Sequence, residues 1–136
     1  MPSLPSQNGR TLLVTGSTSG IGRAATLKLL KAGATVLAVG RSEEKLAALV
    51  AEAQAGEAPL GERLRPLLCD LSDMSQVQAL GARVRDEVDR LDVLVNNAGA
   101  YFSERLLSPD GFELTFAVNH LAYFLLTREV LPLLKA

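Results

Sequence analysis

Apolar residues fall along the chain in two alternating rhythms. Short, nearly continuous runs at 11–15, 35–39, 63–69 and 92–96 suit buried strands. Between them, apolar residues return at three- and four-residue steps, the spacing of a helix with one buried face. Ile21, Ala24, Ala25, Leu29 and Ala32 mark the first such face, Leu46, Leu49, Val50 and Ala53 the second, and Val77, Leu80, Val84 and Val88 the third. Punctuation agrees with the rhythm. Gly33 is placed to cap the first helix. Ser42 reads as the N-cap of the second, with Glu43 and Glu44 where the helix dipole favours negative charge. Pro59 and Gly61 make 56–62 a surface loop, and Ser72 is expected to cap the third helix. After the fourth strand, Ser108 and Pro109 read as the cap and first residue of a long helix. It carries Phe112, Phe116, Leu121, Phe124 and Leu125 toward Leu131, where Pro132 should end or bend it.

Strands alternating with helices imply right-handed parallel crossovers. The fold class is therefore α/β, a Rossmann-type doubly wound parallel sheet with helices on both faces. Pro66 cannot donate to a ladder and belongs on an edge strand, which fits a strand order of 3-2-1-4 with the third strand outermost. The expected organisation is a loose polar tail at 1–9 and one dinucleotide-binding domain at 10–136, stopping before a fifth strand. There are no internal repeats.

Composition narrows the function. With 136 residues the chain can bury roughly two-thirds of its unfolded surface. At 48% hydrophobic, 21% charged and a net charge of −1, neither disorder nor nucleic-acid binding is suggested. The single cysteine, Cys69, cannot close an internal disulfide and fits a reducing, cytoplasmic setting. The longest apolar cluster, 121–126, falls far short of a membrane span of about 20 residues.

The chemistry begins where the first strand meets the first helix. Gly16, Ser17, Thr18, Ser19, Gly20, Ile21 and Gly22 form a G-x-x-x-G-x-G turn, and no lysine follows it as in a triphosphatase loop. Gly16 permits the tight turn, Gly20 lets backbone approach a phosphate, and Gly22 lets the helix pack closely. The unpaired N–H groups of the helix start then face an anion such as a pyrophosphate. Just past the second strand, where an acid commonly binds the adenine ribose, stands Arg41. A charge-assisted bond from Arg41 to a 2′-phosphate, worth about 1.5–3 kcal/mol, would favour NADP(H) over NAD(H) roughly ten- to hundredfold. The plain alternative is a solvated surface arginine.

The Thr-Gly-x-x-x-Gly-Ile-Gly string, together with Asn96, Asn97, Ala98 and Gly99 at the end of the fourth strand, resembles the short-chain dehydrogenase/reductase family. The wording from Asp110-Gly-Phe-Glu to Asn-His-Leu is most similar to its retinol-dehydrogenase-like branch. The resemblance implies that Asn97, Ala98 and Gly99 lie beside the cofactor riboses, and that Asp70, with Leu71 at the end of the third strand, meets the adenine amino group. It also implies that Asn119 holds a water in a proton relay. Read without the family, the paired asparagines and Asp70 would simply turn the chain.

What the resemblance leads one to expect is the cofactor-binding half of an NADP-dependent oxidoreductase, moving hydride between nicotinamide and a small carbonyl or alcohol substrate. The family's Ser and Tyr-x-x-x-Lys set is missing: Tyr101 is followed four residues on by Arg105, and Tyr123 by Thr127. Residues 1–136 alone are therefore expected to be inactive. The alternative is a non-catalytic NADP(H)-binding or subunit-interaction module, with the long helix as the contact surface of a homo-oligomer.

Overall fold

The computed structural model describes residues 3–55 and 60–136. Strands β1 (Thr11–Thr15), β2 (Thr35–Gly40), β3 (Leu64–Leu68) and β4 (Val93–Val95) form one parallel sheet in the order β3-β2-β1-β4. Leu13 stands level with Leu37 on one side and Leu94 on the other. Pro66 lies on β3, at the outer edge, opposite Ala38.

Side chains along a strand alternate between faces, and here each face meets its own pair of helices. Leu13, Leu37 and Leu67 point into a core closed by Val77, Leu80 and Val84 of α3 (Met74–Glu87) and by Leu126 and Val130 of the last helix. Leu12, Val14, Val36 and Ala38 point the other way, against Leu30 of α1 (Gly20–Lys31) and Leu49 and Ala53 of α2 (Glu43–Gln54). The sheet is thus covered on both faces, as the strand–helix alternation requires. At the bottom of the sheet, Asp92 Oδ2 accepts from Thr11 N–H at 2.8 Å while Asp92 N–H donates to Thr11 O at 2.9 Å. That bond, with desolvation opposing it and Arg90 assisting, holds the Asp92 carboxyl below the usual carboxylate range.

Several local expectations give way to tertiary structure. In α1 the buried stripe is Gly22, Thr26 and Leu30, one residue out of step from the expected one, and Ile21 is 82% exposed. Asp73, not Ser72, caps α3, its side chain accepting from Ser75 N–H. Ser72 instead donates its own N–H and hydroxyl to Asp70 Oδ1 at 2.9 and 2.7 Å. Ser108 and Pro109 do not open a helix. The Pro-Asp-Gly sequence they lead into is a strong turn former, and it closes a short hairpin with Gly111 at φ +84 and Leu107 bridged to Glu113.

The long helix starts at Leu114, capped by Glu113, which accepts from Thr115 and Phe116 N–H groups. The segment α4 (Leu114–Phe116) passes through a π turn (Ala117–Leu121) into α5 (Ala122–Lys135) without a break. Its buried face is Ala117, Ala122, Leu126, Val130 and Leu133, whereas Phe112, Phe116 and Phe124 are 46%, 49% and 63% exposed. Pro132 is carried inside α5; it and Arg128, the residue whose carbonyl loses its helical donor, are both exposed. Water can serve that carbonyl.

Residues 56–59 of the loop expected at 56–62 lie outside the described residues; Leu60–Arg63 form a 3₁₀ turn. Of the segment read as a loose tail, Gln7 donates its N–H to Ala32 O at 2.7 Å.

Candidate functional site

The chain runs β1, β2, β3 outward in one direction and then returns to place β4 on the other side of β1. Sheets of this kind leave a crevice at the carboxyl ends of the strands where the order reverses. A cleft of about 640 Å³ opens there. Its floor is the glycine turn, one wall follows β2 and β3, and the other follows β4 and reaches the long helix.

The floor is tightly built. Gly16 adopts φ +66, and a Cβ on it would lie 2.8 Å from Ala98 Cα, so only glycine serves both the turn and the contact. A Cβ on Gly22 would stand 2.5 Å from Asn97 Nδ2 as well as against the Gly16 carbonyl. Gly22 therefore permits the approach of the helix to the turn and to the end of β4, rather than to the strand β1 itself. Gly20, at φ +54, lines the cleft and has nothing within 4 Å of where its Cβ would be.

Ser17 is buried and turned inward, donating to Val14 O at 2.6 Å. Ser19 occupies the N-cap of α1 in extended conformation, yet its hydroxyl makes no cap bond. The opening N–H groups of α1 are thus presented to the cleft with no side-chain oxygen satisfying them. This arrangement fits a diphosphate.

Thr15 joins the floor to the β4 wall. Its hydroxyl accepts from Asn97 and Ala98 N–H groups, both at 3.0 Å, and Asn97 Nδ2 donates back to Thr15 O at 3.2 Å. In sequence the signal for this role is the place of Thr15 at the head of the glycine string. Asn97, Ala98 and Gly99 line the cleft. Asn96 faces the long helix instead, donating to Thr127 Oγ1 at 3.2 Å with its Oδ1 buried and unpartnered.

The β2–β3 wall brings Arg41, Asp70 and Leu71 to the cleft, and adds Lys45, which the sequence reading overlooked. Arg41 follows β2 directly and Lys45 lies in the first turn of α2, so both cations flank the end of β2. The spacing of the two in sequence was visible, but only the path of the chain around Ser42 sets both at one rim. Cys69 forms part of this wall, and burial, reinforced by Asp70 and Asp73, pushes its thiol up to about 12. It is a packing residue rather than a nucleophile.

Asn119 sits in the π turn, behind the β4 wall rather than on it. Its Oδ1 accepts from Ala100 N–H at 2.9 Å and its Nδ2 donates to Ala100 O at 2.6 Å. Both ends of the amide are committed to holding Ala100, which lines the cleft. Tyr123 donates its hydroxyl to Ala98 O, and desolvation pushes its pKa above the usual tyrosine range. Tyr101 is 85% exposed. His120 stacks on Phe116 at 5.1 Å on the outer face of the helix.

Among the described residues no cluster of His, Cys, Asp and Glu could hold a metal ion, and no helix is long and apolar enough to cross a membrane.

The comparisons with known proteins agree with this geometry. The family model described as short chain dehydrogenase matches residues 10–136. Human retinol dehydrogenase 14 is 40% identical over 141 residues, covering 95% of this chain and 42% of that protein. The 3beta-hydroxysteroid dehydrogenase of Mediterraneibacter gnavus is 41% identical over 125 residues, covering 89% of this chain and 44% of that protein. Among solved structures, the Pseudomonas aeruginosa RhlG/NADP active-site complex matches with a TM-score of 0.79 at 32% identity, covering 99% of this chain and 52% of that one. The chain spans about two-fifths of the length of the curated relatives it matches.

Proposed function

Because this chain belongs to the short-chain dehydrogenase/reductase family, we propose that its cleft binds NADP(H) in preference to NAD(H). In this reading it forms the cofactor-binding half of an oxidoreductase acting on a carbonyl or alcohol. The observation that carries the cofactor preference is the pair Arg41 and Lys45, which line the cleft at the end of β2 while Glu43 and Glu44, between them in sequence, do not. Each would meet a 2′-phosphate, where NAD would offer only a ribose hydroxyl.

The residues present fit the cofactor. The N–H groups opening α1 receive the diphosphate, and Gly20 keeps side-chain atoms out of its way. Asp70, whose Oδ1 is tied to Ser72, stands on the same wall as Arg41 and Lys45 and faces the adenine end. Asn97, Ala98 and Gly99, held by Thr15, set the depth at which the riboses can lie. Bound there, the nicotinamide would supply hydride transfer to or from the substrate carbon.

Asn119 contributes by holding Ala100 in place. A water kept at this point would meet the main chain of the π turn or the amide's remaining lone pair and hydrogen, since Oδ1 and Nδ2 each make one bond to Ala100. Neither tyrosine is suited to acid–base work: Tyr123 is engaged with Ala98 and Tyr101 lies out in solvent. Positioned acid–base groups contribute about 10²–10⁴-fold to rate, and residues 1–136 on their own should show no turnover.

A second reading is favoured by the outer face of the long helix. His120, Tyr123, Phe124, Thr127, Arg128 and Leu131 outline a shallow, almost wholly apolar depression there. Under it, the chain is a module that binds NADP(H) and pairs with another copy through that helix. Sedimentation of the chain across a concentration series distinguishes the two: a monomer throughout removes the second reading.

The cofactor reading is tested by fluorescence titration with NADPH and NADH. The expected result is an NADPH preference of roughly ten- to hundredfold, reduced in Arg41→Ala and Lys45→Ala and abolished in the double variant. Equal affinities for the two cofactors, unaltered by either substitution, would overturn it.

A further inference from the structure

We propose that Asp110 is a positioning residue of the cleft, tying the hairpin after β4 to the first turn of α3 and so fixing the separation of the two walls. The proposal rests on the reading of the cleft as an NADP(H) site. Asp110 Oδ2 accepts from Met74 N–H at 3.0 Å across 36 residues of sequence. Met74 is the first residue of α3, whose N–H has no partner within the helix. Asp73 serves the next N–H, that of Ser75, so the first donor is left for a group arriving from outside. A carboxylate is also the group that the positive end of a helix favours.

Both partners are firmly mounted. On the α3 side, Asp70 N–H donates to Gln76 Oε1, Asp73 N–H donates to Asp70 O, and Leu71 is packed into the core. This wall is thereby fixed to the sheet. On the other side, Ala100 is clamped by Asn119, and the hairpin carrying Asp110 is closed by Ser108 N–H donating to Phe112 O at 2.7 Å and Gly111 N–H donating to Ser108 O at 2.9 Å. Asp110 stands at its tip. Phe102, between Ala100 and the hairpin, and Leu114, just beyond it, line the cleft. Among the described residues, the Asp110–Met74 bond is the only hydrogen bond or ion pair joining 70–76 to 100–121.

The consequence is specific. A ligand that spans both walls senses their separation; a ligand confined to the floor and the β2–β3 wall does not. NADPH is of the first kind. Adenosine 2′,5′-bisphosphate, which carries the adenine and the 2′-phosphate without the nicotinamide half, is of the second.

The test is titration of the parent, Asp110→Ala and Asp110→Asn with both ligands. For Asp110→Ala the expected result is NADPH binding weakened about three- to tenfold, as for loss of one hydrogen bond, with adenosine 2′,5′-bisphosphate changed by less than about twofold. Asp110→Asn keeps an acceptor oxygen and should return NADPH binding to near the parent value. NADPH binding unchanged in Asp110→Ala overturns the proposal. So does equal weakening of both ligands, which would mean loss of structure rather than of wall spacing. A parent that binds neither ligand removes the NADP(H) reading and this inference together, whereas a parent that binds NADPH with an indifferent Asp110→Ala removes this inference alone.

Discussion

Gly22→Ala and Gly20→Ala should separate the packing role of the glycine turn from its binding role. At Gly22 a methyl group would press on Asn97 Nδ2 from 2.5 Å and on the Gly16 carbonyl. Backbone and a committed amide are hard to move. Overpacking of this kind costs about 1–3 kcal/mol, and displacing Asn97 from Thr15 O adds about 1 kcal/mol for a lost hydrogen bond. The better helix propensity of alanine returns about 0.8–1 kcal/mol. The net expectation for Gly22→Ala is a loss of about 1–3 kcal/mol, read as a fall in the thermal midpoint of about 3–12 °C for a domain of this size. At Gly20 a methyl group meets no protein atom, and only the φ of +54 opposes it, at about 1–2 kcal/mol. Gly20 lines the cleft where the diphosphate would lie, and added bulk there should cost at least about tenfold in NADPH affinity, as for one charge-assisted hydrogen bond. Thermal unfolding by circular dichroism and NADPH titration by fluorescence, run on both variants, decide the matter. If Gly22→Ala melts with the parent, or Gly20→Ala binds NADPH as the parent does, the steric reasoning is refuted.

The Asp92 carboxyl is held low chiefly by Thr11 N–H, so its folded value lies below the unfolded 3.8. The stabilisation it brings is present at neutral pH and fades as pH falls below that value; Asp92→Asn should flatten the acid limb of a thermal-midpoint profile, and an unchanged limb would count against the assignment. With its thiol raised to about 12, Cys69 should react with a thiol reagent at pH 8 only as fast as the protein opens, and rapid labelling of the folded chain would contradict its placement. Asn119→Ala removes both bonds to Ala100 and should destabilise by about 1–3 kcal/mol, the two net bonds together, measurable by urea unfolding; no change would show that the π turn is held otherwise.

Which parts of this structure can be read from the sequence depends on whether the deciding contact is local. The edge position of Pro66 and the Ser42 cap rest on short-range chemistry, and the strand order follows from that edge and from the strand–helix alternation; all three stand in the structure. Ser72 and Asp73 competed for one helix start, and the longer reach of Asp73 to Ser75 settled it while Asp70 took Ser72. At Ser108 a turn signal and a helix-start signal overlap, and the hairpin won because Ser108, Gly111 and Phe112 satisfy one another's backbone groups. The stripe of α1 was misjudged because Ile21 is not a core residue: it lines the cleft, where burial awaits a ligand rather than the sheet. In the candidate site, the glycine turn and the Asn97–Gly99 segment were legible as strings. The roles of Thr15 and Asp110 are not legible there, since each works through a partner brought close only by the fold, and that of Lys45 is not, since only the path of the chain around Ser42 sets it on the rim with Arg41.

Cofactor binding in this cleft depends on the N–H groups at the start of α1 receiving the diphosphate. Backbone amide spectra of the ¹⁵N-labelled protein, recorded as NADP is added, observe those groups directly. The predicted result is that the largest shifts fall at Ser19, Gly20 and Ile21, with a second set at Asn97–Gly99 and at Arg41 and Lys45. Shifts confined to the outer face of the long helix, or none at saturating NADP, would contradict it.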